Sequence, residues 1–265
     1  MEETKAILAQ MNLTLQGVEF TYPSVSVLKG VSFELQEGEM LAIVGKNGSG
    51  KSTLIKCINR ILEYQSGNIS VHREEIKNMR RRDVAKKMAY HPQKTSYNFP
   101  VTVFDAVLMG RYPYSSWNGD KDSEKHAWEV LKLLDLESLA LRDYNQISGG
   151  QQQKVIIARA LAQEAKILLL DEPTSDLDIR YQLEVMEIIR RLVKEKNISA
   201  IVAIHDLNLA SRYCDRIVML HNGVIFSAGT PCEVFTPENI ASVYGVDASV
   251  REDEGVFHII PKRPI

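Results

Sequence analysis

The nine residues Gly45 to Thr53, "GKNGSGKST", restrict the possible folds more than any other part of the sequence. The run "MLAIVG" that leads into them is apolar throughout, which predicts a buried strand. After Gly50, Leu54 and Ile58 recur at helical spacing, so the glycine-rich stretch is expected to join this strand to the start of a helix. Backbone N–H groups at such a junction can turn towards an anion. The sequence therefore predicts a phosphate site at the edge of a sheet.

The residue types in this stretch indicate a nucleoside triphosphate as the ligand. Lys51 would neutralise phosphate charge, and the Ser52 hydroxyl could bind Mg2+. The alternative is a glycine-rich surface turn, which the flanking strand and helix make a poor explanation. ATP and Mg2+ are thus the expected cofactors. The residues predicted to contact the nucleotide here are Gly45, Asn47, Gly48, Ser49, Gly50, Lys51, Ser52 and Thr53.

A second apolar run, "ILLLDEP" at 167–173, ends in two adjacent carboxylates. Asp171 is expected to reach Mg2+, directly or through water, and Glu172 could act as general base on an attacking water. An apolar strand that ends in Asp-Glu is common by itself and could be a solvated strand end. Because it follows a phosphate loop in the same chain, it predicts hydrolysis.

Strand and helix signals alternate along most of the chain, which favours a parallel sheet covered by helices on both faces. From about 94 to 165 helical patterns dominate, so this section is expected to be an inserted helical subdomain. We predict a single domain spanning 1–265, with an extension from about 222 to 265. No apolar run approaches the length of a membrane helix, and the longest is "ISAIVAI" at 198–204.

Charge and cysteine content exclude several function classes. The formal net charge is -2, so no overall field attracts the chain to nucleic acid, and no nucleic-acid partner is expected. The three cysteines, Cys57, Cys214 and Cys232, are widely spaced and form no Cys-x-x-Cys pair. This argues against a disulfide framework and against a zinc site, and it fits a reducing compartment.

A third motif, "ISGGQQQK" at 147–154, could be either a second anion site at a helix start or an ordinary loop-to-helix junction. Taken with the phosphate loop, "HPQ" at 91–93, "LLLDEP", "SDLD" at 175–178 and His205, it gives an ordered set over roughly 12 to 246. This set resembles the nucleotide-binding subunit of an ATP-binding cassette (ABC) transporter. The resemblance implies a P-loop NTPase α/β core with a mainly parallel sheet, an N-terminal antiparallel β subdomain and an inserted α-helical subdomain.

The resemblance also implies roles for single residues. Two copies of the chain would sandwich ATP, and the residues from one copy that contact the nucleotide on the other are Ser148, Gly149, Gly150 and Gln151. Asp178 would lie in the loop that crosses this interface. Tyr22 would stack on adenine, although a partly buried strand-end tyrosine is the alternative. Gln93 would contact Mg2+ and the attacking water, and His205 the γ-phosphate. The metal contacts are then Ser52, Gln93 and Asp171, and the catalytic residues Glu172, His205 and Gln93.

Two further stretches, 99–114 and 223–250, are similar to the ATPases of importers for iron-siderophore, haem and cobalamin. This implies a membrane permease as partner, an external substrate-binding protein as indirect partner, and a peripheral position at the cytoplasmic face of the cell membrane. Candidate contacts with the permease are Phe99, Val103, Met109 and Tyr112. For each of these, packing within the helical subdomain is the alternative.

Two other functions stay open at this stage. A soluble cassette ATPase of repair, translation or iron–sulfur assembly would share the motifs, but the chain has neither a long coiled-coil insertion nor a second cassette. An inactive regulatory cassette is expected to have lost Lys51, Glu172 or His205, and all three are present. Ile147 and Gln152 depart from the family's usual residues, which concerns the rate and not the type of reaction.

Overall fold

The computed structural model describes residues 11–93, 99–114 and 121–265, and all predicted site residues lie within these ranges. Its strands are β1 (Met11–Tyr22), β2 (Val25–Gln36), β3 (Met40–Val44), β4 (Ser66–Val71), β5 (Glu74–Glu75), β6 (Met88–His91), β7 (Ile167–Asp171), β8 (Ser199–Ala203), β9 (Arg216–His221), β10 (Val224–Gly229), β11 (Val246–Asp253) and β12 (Val256–Pro264). Its α-helices are α1 (Lys51–Ile58), α2 (Arg81–Lys87), α3 (Val103–Leu108), α4 (Lys121–Leu133), α5 (Gly149–Ala162), α6 (Ile179–Lys196), α7 (Leu207–Tyr213), α8 (Pro231–Val234) and α9 (Pro237–Tyr244).

The central sheet has the strand order β10-β9-β3-β8-β7-β6. Strands β9, β3, β8, β7 and β6 run parallel, and only β10 pairs antiparallel at the edge. Every residue of β3, β7 and β8 is buried, as expected for apolar strands that are covered on both faces. The carboxyl ends of β3, β7 and β8 therefore meet at one edge, where the phosphate loop, Glu172 and His205 follow.

An antiparallel sheet of order β2-β1-β4-β5 packs beside the central sheet. Its strands alternate: Leu13 and Leu15 are buried, whereas Gln16 is exposed. The buried face shares one hydrophobic cluster with Leu41 and Ile43 of β3 and with α1. The predicted fold, a mainly parallel α/β core with an N-terminal antiparallel β unit, is confirmed.

Helices α3, α4 and α5 lie between β6 and β7 along the chain and pack on one another. A 3-10 segment, Met109–Tyr114, continues α3 and approaches α5 closely. A Cβ atom at Gly110 would lie 2.1 Å from the carbonyl oxygen of Arg159, so only glycine fits there. The described helical part runs from Val103 to Ala162. The predicted subdomain boundaries near 94 and 165 stay a prediction, and residues 94–98 are outside the described ranges.

The C-terminal hairpin of β11 and β12 packs against α7, the helix that follows His205. The Asn208 side chain accepts a hydrogen bond from the Ile259 backbone N–H (2.7 Å) and donates one to the Ile259 carbonyl (3.3 Å). The Ser211 hydroxyl accepts another from the Phe257 N–H at 3.1 Å. The hairpin is thus held to the core by specific backbone pairing.

Helix α6 shows how amphipathic the helices are. Its buried face includes Val185, Ile189 and Val193, whereas charged residues such as Arg191 and Lys194 lie on the other side. Among the helices of the described ranges, none combines the length and the apolar character that crossing a membrane would need.

Candidate active site

The phosphate loop needs its glycines for steric reasons. Gly45, Gly48 and Gly50 have φ angles of 147°, 78° and 108°, which residues with side chains rarely adopt. At Gly45 a Cβ atom would also lie 2.3 Å from the carbonyl oxygen of Leu220 in β9. The loop is therefore pressed against the sheet edge, and its backbone forms the wall of the site.

Lys51 begins α1 and is folded back over the loop. Its side chain is buried, and Nζ donates to the carbonyl oxygens of Gly45 (2.9 Å) and Lys46 (3.3 Å). Burial lowers the pKa of Lys51, while the charges of Glu172 and Asp171 oppose this shift. A desolvated ammonium group above a glycine-rich loop is well placed to gain from contact with phosphate oxygens.

The remaining loop residues differ in exposure. Asn47 is exposed, and Thr53 in the first turn of α1 is half-buried. The Ser49 hydroxyl is buried and has no hydrogen-bond partner, although its backbone N–H donates to the Lys46 carbonyl at 3.1 Å. An unpaired buried hydroxyl in this position is a vacant donor and acceptor next to the predicted phosphates.

Ser52 and Asp171 bring two oxygen ligands together. The Ser52 hydroxyl donates to Asp171 Oδ1 at 2.8 Å, and the Tyr90 hydroxyl lies 3.5 Å from Asp171 Oδ2. Burial raises the pKa of the Asp171 carboxyl, although the Ser52 hydrogen bond works against the shift. Hard oxygen donors of this kind suit Mg2+, which binds through one or two protein groups plus phosphates and water. Tyr90 is a site residue that the motifs did not indicate.

The three predicted catalytic residues meet at Glu172. Gln93 Nε2 donates to Glu172 Oε2 at 2.5 Å, and His205 Nε2 contacts the other carboxylate oxygen, Oε1. Glu172 has a φ of 53°, unusual for a residue with a side chain, and its N–H donates to the Ala203 carbonyl at 3.0 Å. A strained backbone that its surroundings hold in place is typical of functional positions.

Tyr22 lies at the tip of the β1–β2 hairpin and is 40% exposed. Its ring makes an edge contact with Phe20, with 4.8 Å between the centroids. The same hairpin reaches the phosphate loop through Val27, whose Cγ1 would lie 3.3 Å from a Cβ atom at Gly50. The tyrosine is thus an accessible aromatic group on the hairpin that contacts the loop, and its exposure leaves the ring free to stack on a base.

The segment Ser148 to Gln151 forms the first turn of α5 and its cap. The Ser148 hydroxyl accepts from the Gln151 N–H (3.4 Å), and Gln151 Oε1 accepts from the Ser148 N–H (3.0 Å), which completes a capping box. Ser148 and Gly149 are exposed. Within the described chain, no hydrogen bond joins this segment to the phosphate loop, so the two predicted nucleotide contacts remain separate in one copy.

Gly150 and Asp178 are tied to the start of α6. A Cβ atom at Gly150 would lie 2.5 Å from the Tyr181 ring, so this glycine is required by packing within the chain. Asp178 caps α6 by accepting from the Tyr181 N–H at 3.1 Å. The motifs did not indicate Tyr181, and nothing in its immediate sequence distinguishes it from an ordinary helix-surface tyrosine.

The candidate permease contacts divide into two groups. Phe99, Met109 and Tyr112 are 60%, 41% and 80% exposed, whereas Val103 is fully buried in the helical core. The prediction for Val103 as a contact residue is therefore wrong, because its side chain fills the space between α3 and its neighbours.

Across 11–93, 99–114 and 121–265, no group of three or more His, Cys, Asp or Glu side chains is arranged to hold a metal ion.

Sequence comparisons identify relatives over nearly the whole chain. The family model for the ABC transporter matches residues 28–175. An uncharacterised ABC transporter ATP-binding protein of Methanocaldococcus jannaschii is 51% identical over 255 residues, which is 96% of this chain and 99% of the relative. A petrobactin import ATP-binding protein of Bacillus anthracis is 36% identical over 238 residues, 89% of this chain and 88% of the relative.

Solved structures agree with this result. An ABC transporter described as metal-chelate type, in an inward-facing conformation, has a chain that matches with a TM-score of 0.83 at 28% identity, covering 96% of this chain and 98% of that one. A dimeric ATP-binding cassette bound to ADP and phosphate in a post-hydrolysis state matches with a TM-score of 0.73 at 30% identity, covering 83% and 98%. This protein belongs to the ABC transporter family and is an ATP-hydrolysing, ATP-binding subunit.

Proposed function

We propose that the chain is the ATP-hydrolysing motor subunit of an importer for metal chelates, with Glu172 as the general base. The observation that carries the assignment of the base is the convergence of Gln93 and His205 on the two oxygens of the Glu172 carboxylate. Next to it, Ser52 in the first turn of α1 pairs with Asp171, the last residue of β7. A base, its two orienting partners and a phosphate loop at one sheet edge form a set suited to hydrolysis of a triphosphate.

In this proposal a water held near Glu172 attacks the γ-phosphorus of ATP. The bond between that phosphorus and the β–γ bridging oxygen breaks, the proton of the water passes to the Glu172 carboxylate, and ADP and phosphate result. Lys51 exchanges its contacts with Gly45 and Lys46 for phosphate oxygens. His205, which contacts the base at Glu172 Oε1, would then contact the γ-phosphate.

Ser52 and Asp171 are the proposed ligands of Mg2+, with Gln93 close to the same edge. Bound there, the ion would neutralise charge on the β- and γ-phosphates and orient them. Both donors are oxygen atoms, which Mg2+ prefers. Burial raises the pKa of Asp171, and a bound cation would stabilise its ionised form.

We also propose that the working unit is a dimer of two copies. Ser148, Gly149 and Asp178 are exposed at helix starts, and the N–H groups at the start of α5 favour an anion. In one copy these residues do not reach the Lys51 loop by hydrogen bonding. A second copy that faces the first supplies the missing contacts to each triphosphate, and the related dimeric cassette supports this arrangement.

The proposed permease contact is a groove of about 440 Å³ between the core and the helical part. Apolar, basic and neutral polar side chains line it, among them Arg81, Met88, Tyr90, Met109, Arg159 and Gln163. Bound there, the subunit lies at the cytoplasmic face of the membrane, and a separate external protein delivers the cargo. The petrobactin-import relative and the metal-chelate type structure support this cargo class.

The catalytic part of the proposal is tested with Glu172→Gln. Glutamine keeps the shape and one acceptor oxygen but cannot accept the proton, so kcat should fall by about 100-fold or more. Nucleotide affinity should stay close to that of the parent chain, because the phosphate loop is untouched. Steady-state hydrolysis near the parent rate would remove Glu172 from the mechanism.

The transport part is tested by capturing tagged Glu172→Gln chain with ATP from detergent-solubilised cells of its own source. Mass spectrometry should identify a permease with many membrane spans among the bound proteins. Lys51→Ala, captured in parallel, controls for binding that is independent of ATP. Recovery of only soluble partners or nucleic acid would instead indicate a soluble cassette ATPase.

A further inference from the structure

Gln153 is the one glutamine in the run 151–153 that bridges separate parts of the site. It lies one helical turn after Gly149 on α5. Its amide nitrogen, Nε2, lies 2.5 Å from the Pro173 carbonyl oxygen and 2.9 Å from His91 Nε2. An amide group has two N–H bonds, so both can be donated at once to these two acceptors.

Both acceptors are adjacent to proposed catalytic residues. Pro173 directly follows Glu172, and His91 is the last residue of β6, two positions before Gln93. His91 is almost fully buried, and its Nε2 faces the Gln153 amide. When His91 Nε2 accepts from this amide, the ring proton lies on Nδ1, which is buried and has no hydrogen-bond partner among the described residues.

The neighbouring glutamines make no such bridge. Gln151 caps its own helix by pairing with Ser148, and Gln152 donates to the Tyr144 carbonyl at 3.0 Å within the helical part. Gln153 therefore provides hydrogen bonds from the α5 start to the ends of β6 and β7 together. Because Gln153 is half-buried, loss of either acceptor would leave one of its N–H groups without that partner, so these bonds resist separation of the three segments.

We propose that Gln153 is a positioning residue that makes the placement of Glu172 and Gln93 depend on the position of the α5 N-terminus. The inference rests on the proposed roles of these two residues. A phosphate of the partner's nucleotide that holds Gly149 would hold Gln153 one turn later. The Gln153 amide would then hold the backbone at His91 and at Pro173, and with it Gln93 and Glu172, around the attacking water. Catalysis would thus depend on phosphate binding at the start of α5.

The experiment compares Gln153→Leu with Gln152→Leu in the purified full chain. Leucine removes both bridging donations at 153 but only one bond within the helical part at 152. For Gln153→Leu we expect kcat to fall between about 10- and 100-fold while KM for ATP changes by less than about twofold. Gln152→Leu should keep both constants within about twofold of the parent. A Gln153→Leu kcat within twofold of the Gln152→Leu value would overturn the proposal.

A double variant, His91→Leu with Gln153→Leu, separates positioning from general stability. It removes the half-buried donor together with its buried acceptor His91, so Tm should recover from the Gln153→Leu value towards that of the parent. The link to Pro173 stays absent, and kcat should therefore stay low. A kcat that recovers in step with Tm would show a structural role only and contradict the proposal. Loss of turnover in Glu172→Gln is independent of these results, so failure here leaves the proposed function intact.

Discussion

The phosphate loop and the start of α5 are both predicted to hold the triphosphate, yet they differ in how complete they are within one chain. The loop is enclosed by its own chain: Lys51 is buried over it and Ser52 is paired with Asp171. The α5 start is exposed at Ser148 and Gly149, and the Ser148 and Gln151 side chains hydrogen-bond to each other's backbone N–H groups. One copy therefore contains two half-sites. The phosphate loop can bind a nucleotide by itself, whereas the α5 start can contact only a nucleotide that is bound to another copy.

The glycines of the two regions support the same distinction. Gly45 and Gly50 have positive φ angles and close neighbours within the chain. Gly149 has neither, since a Cβ atom there would meet nothing within 4 Å. The folded chain itself therefore gives no reason for glycine at 149. A reason does exist if a phosphate approaches this backbone from outside.

The largest effect that we expect is on nucleotide affinity, when the phosphate loop is altered. Lys51→Ala removes a buried cation that contacts phosphate, so nucleotide affinity should fall about 10- to 100-fold. A binding titration with a labelled nucleotide measures this. Lys46→Ala is the matched control, because Lys46 is exposed on the same loop and should change affinity little. Equal affinities for Lys51→Ala and the parent would contradict the assignment of the loop.

A smaller effect separates two neighbouring glycines. Gly150→Ala drives a Cβ atom into the Tyr181 ring and should cost about 1–3 kcal/mol of unfolding free energy. Gly149→Ala meets open space, so the ligand-free chain should change by about 1 kcal/mol or less. Chemical denaturation measures both.

ATP hydrolysis should fall in both variants, although the stability of Gly149→Ala is nearly unchanged. Full activity in that variant would mean that no phosphate approaches Gly149.

The smallest effect concerns pH and Asp171. Burial raises its pKa in the folded chain, so ionisation favours the unfolded state: stability is greatest below the unfolded pKa and is lost as pH rises through the folded one. Asp171→Asn, which keeps an oxygen facing Ser52, should raise Tm of the nucleotide-free chain by a few degrees at neutral pH. The gain should disappear in acid. A Tm difference independent of pH would refute this cause.

The sequence predicted the elements of the site because each lies next to its own strand or helix signal. The loop, Asp171 and Glu172 all follow apolar runs, and parallel strands bring their carboxyl ends to one edge. Gln153, by contrast, acts through partners far away in the chain, His91 and Pro173. Local patterns contain no information about such contacts.

Val103 failed as a predicted contact for a related reason. Its stretch, 99–114, alternates exposed and buried residues within short helical segments, and only the packed structure shows which face each residue takes. The chain's apolar pattern at 101–107 is compatible with either a partner surface or a core. Packing against α4 and α5 decides for the core, because Val103 and Val107 are both fully buried.

In the proposed dimer, each nucleotide is held between the Lys51 loop of one copy and the Ser148 segment of the other. We would measure the solution mass of Glu172→Gln by light scattering, with and without ATP, beside the same variant carrying Ser148→Arg. We expect ATP to convert Glu172→Gln from one copy to two, while the form that also carries Ser148→Arg binds ATP and stays a single copy. A single copy of Glu172→Gln at saturating ATP, or a dimer that Ser148→Arg leaves unchanged, would contradict it.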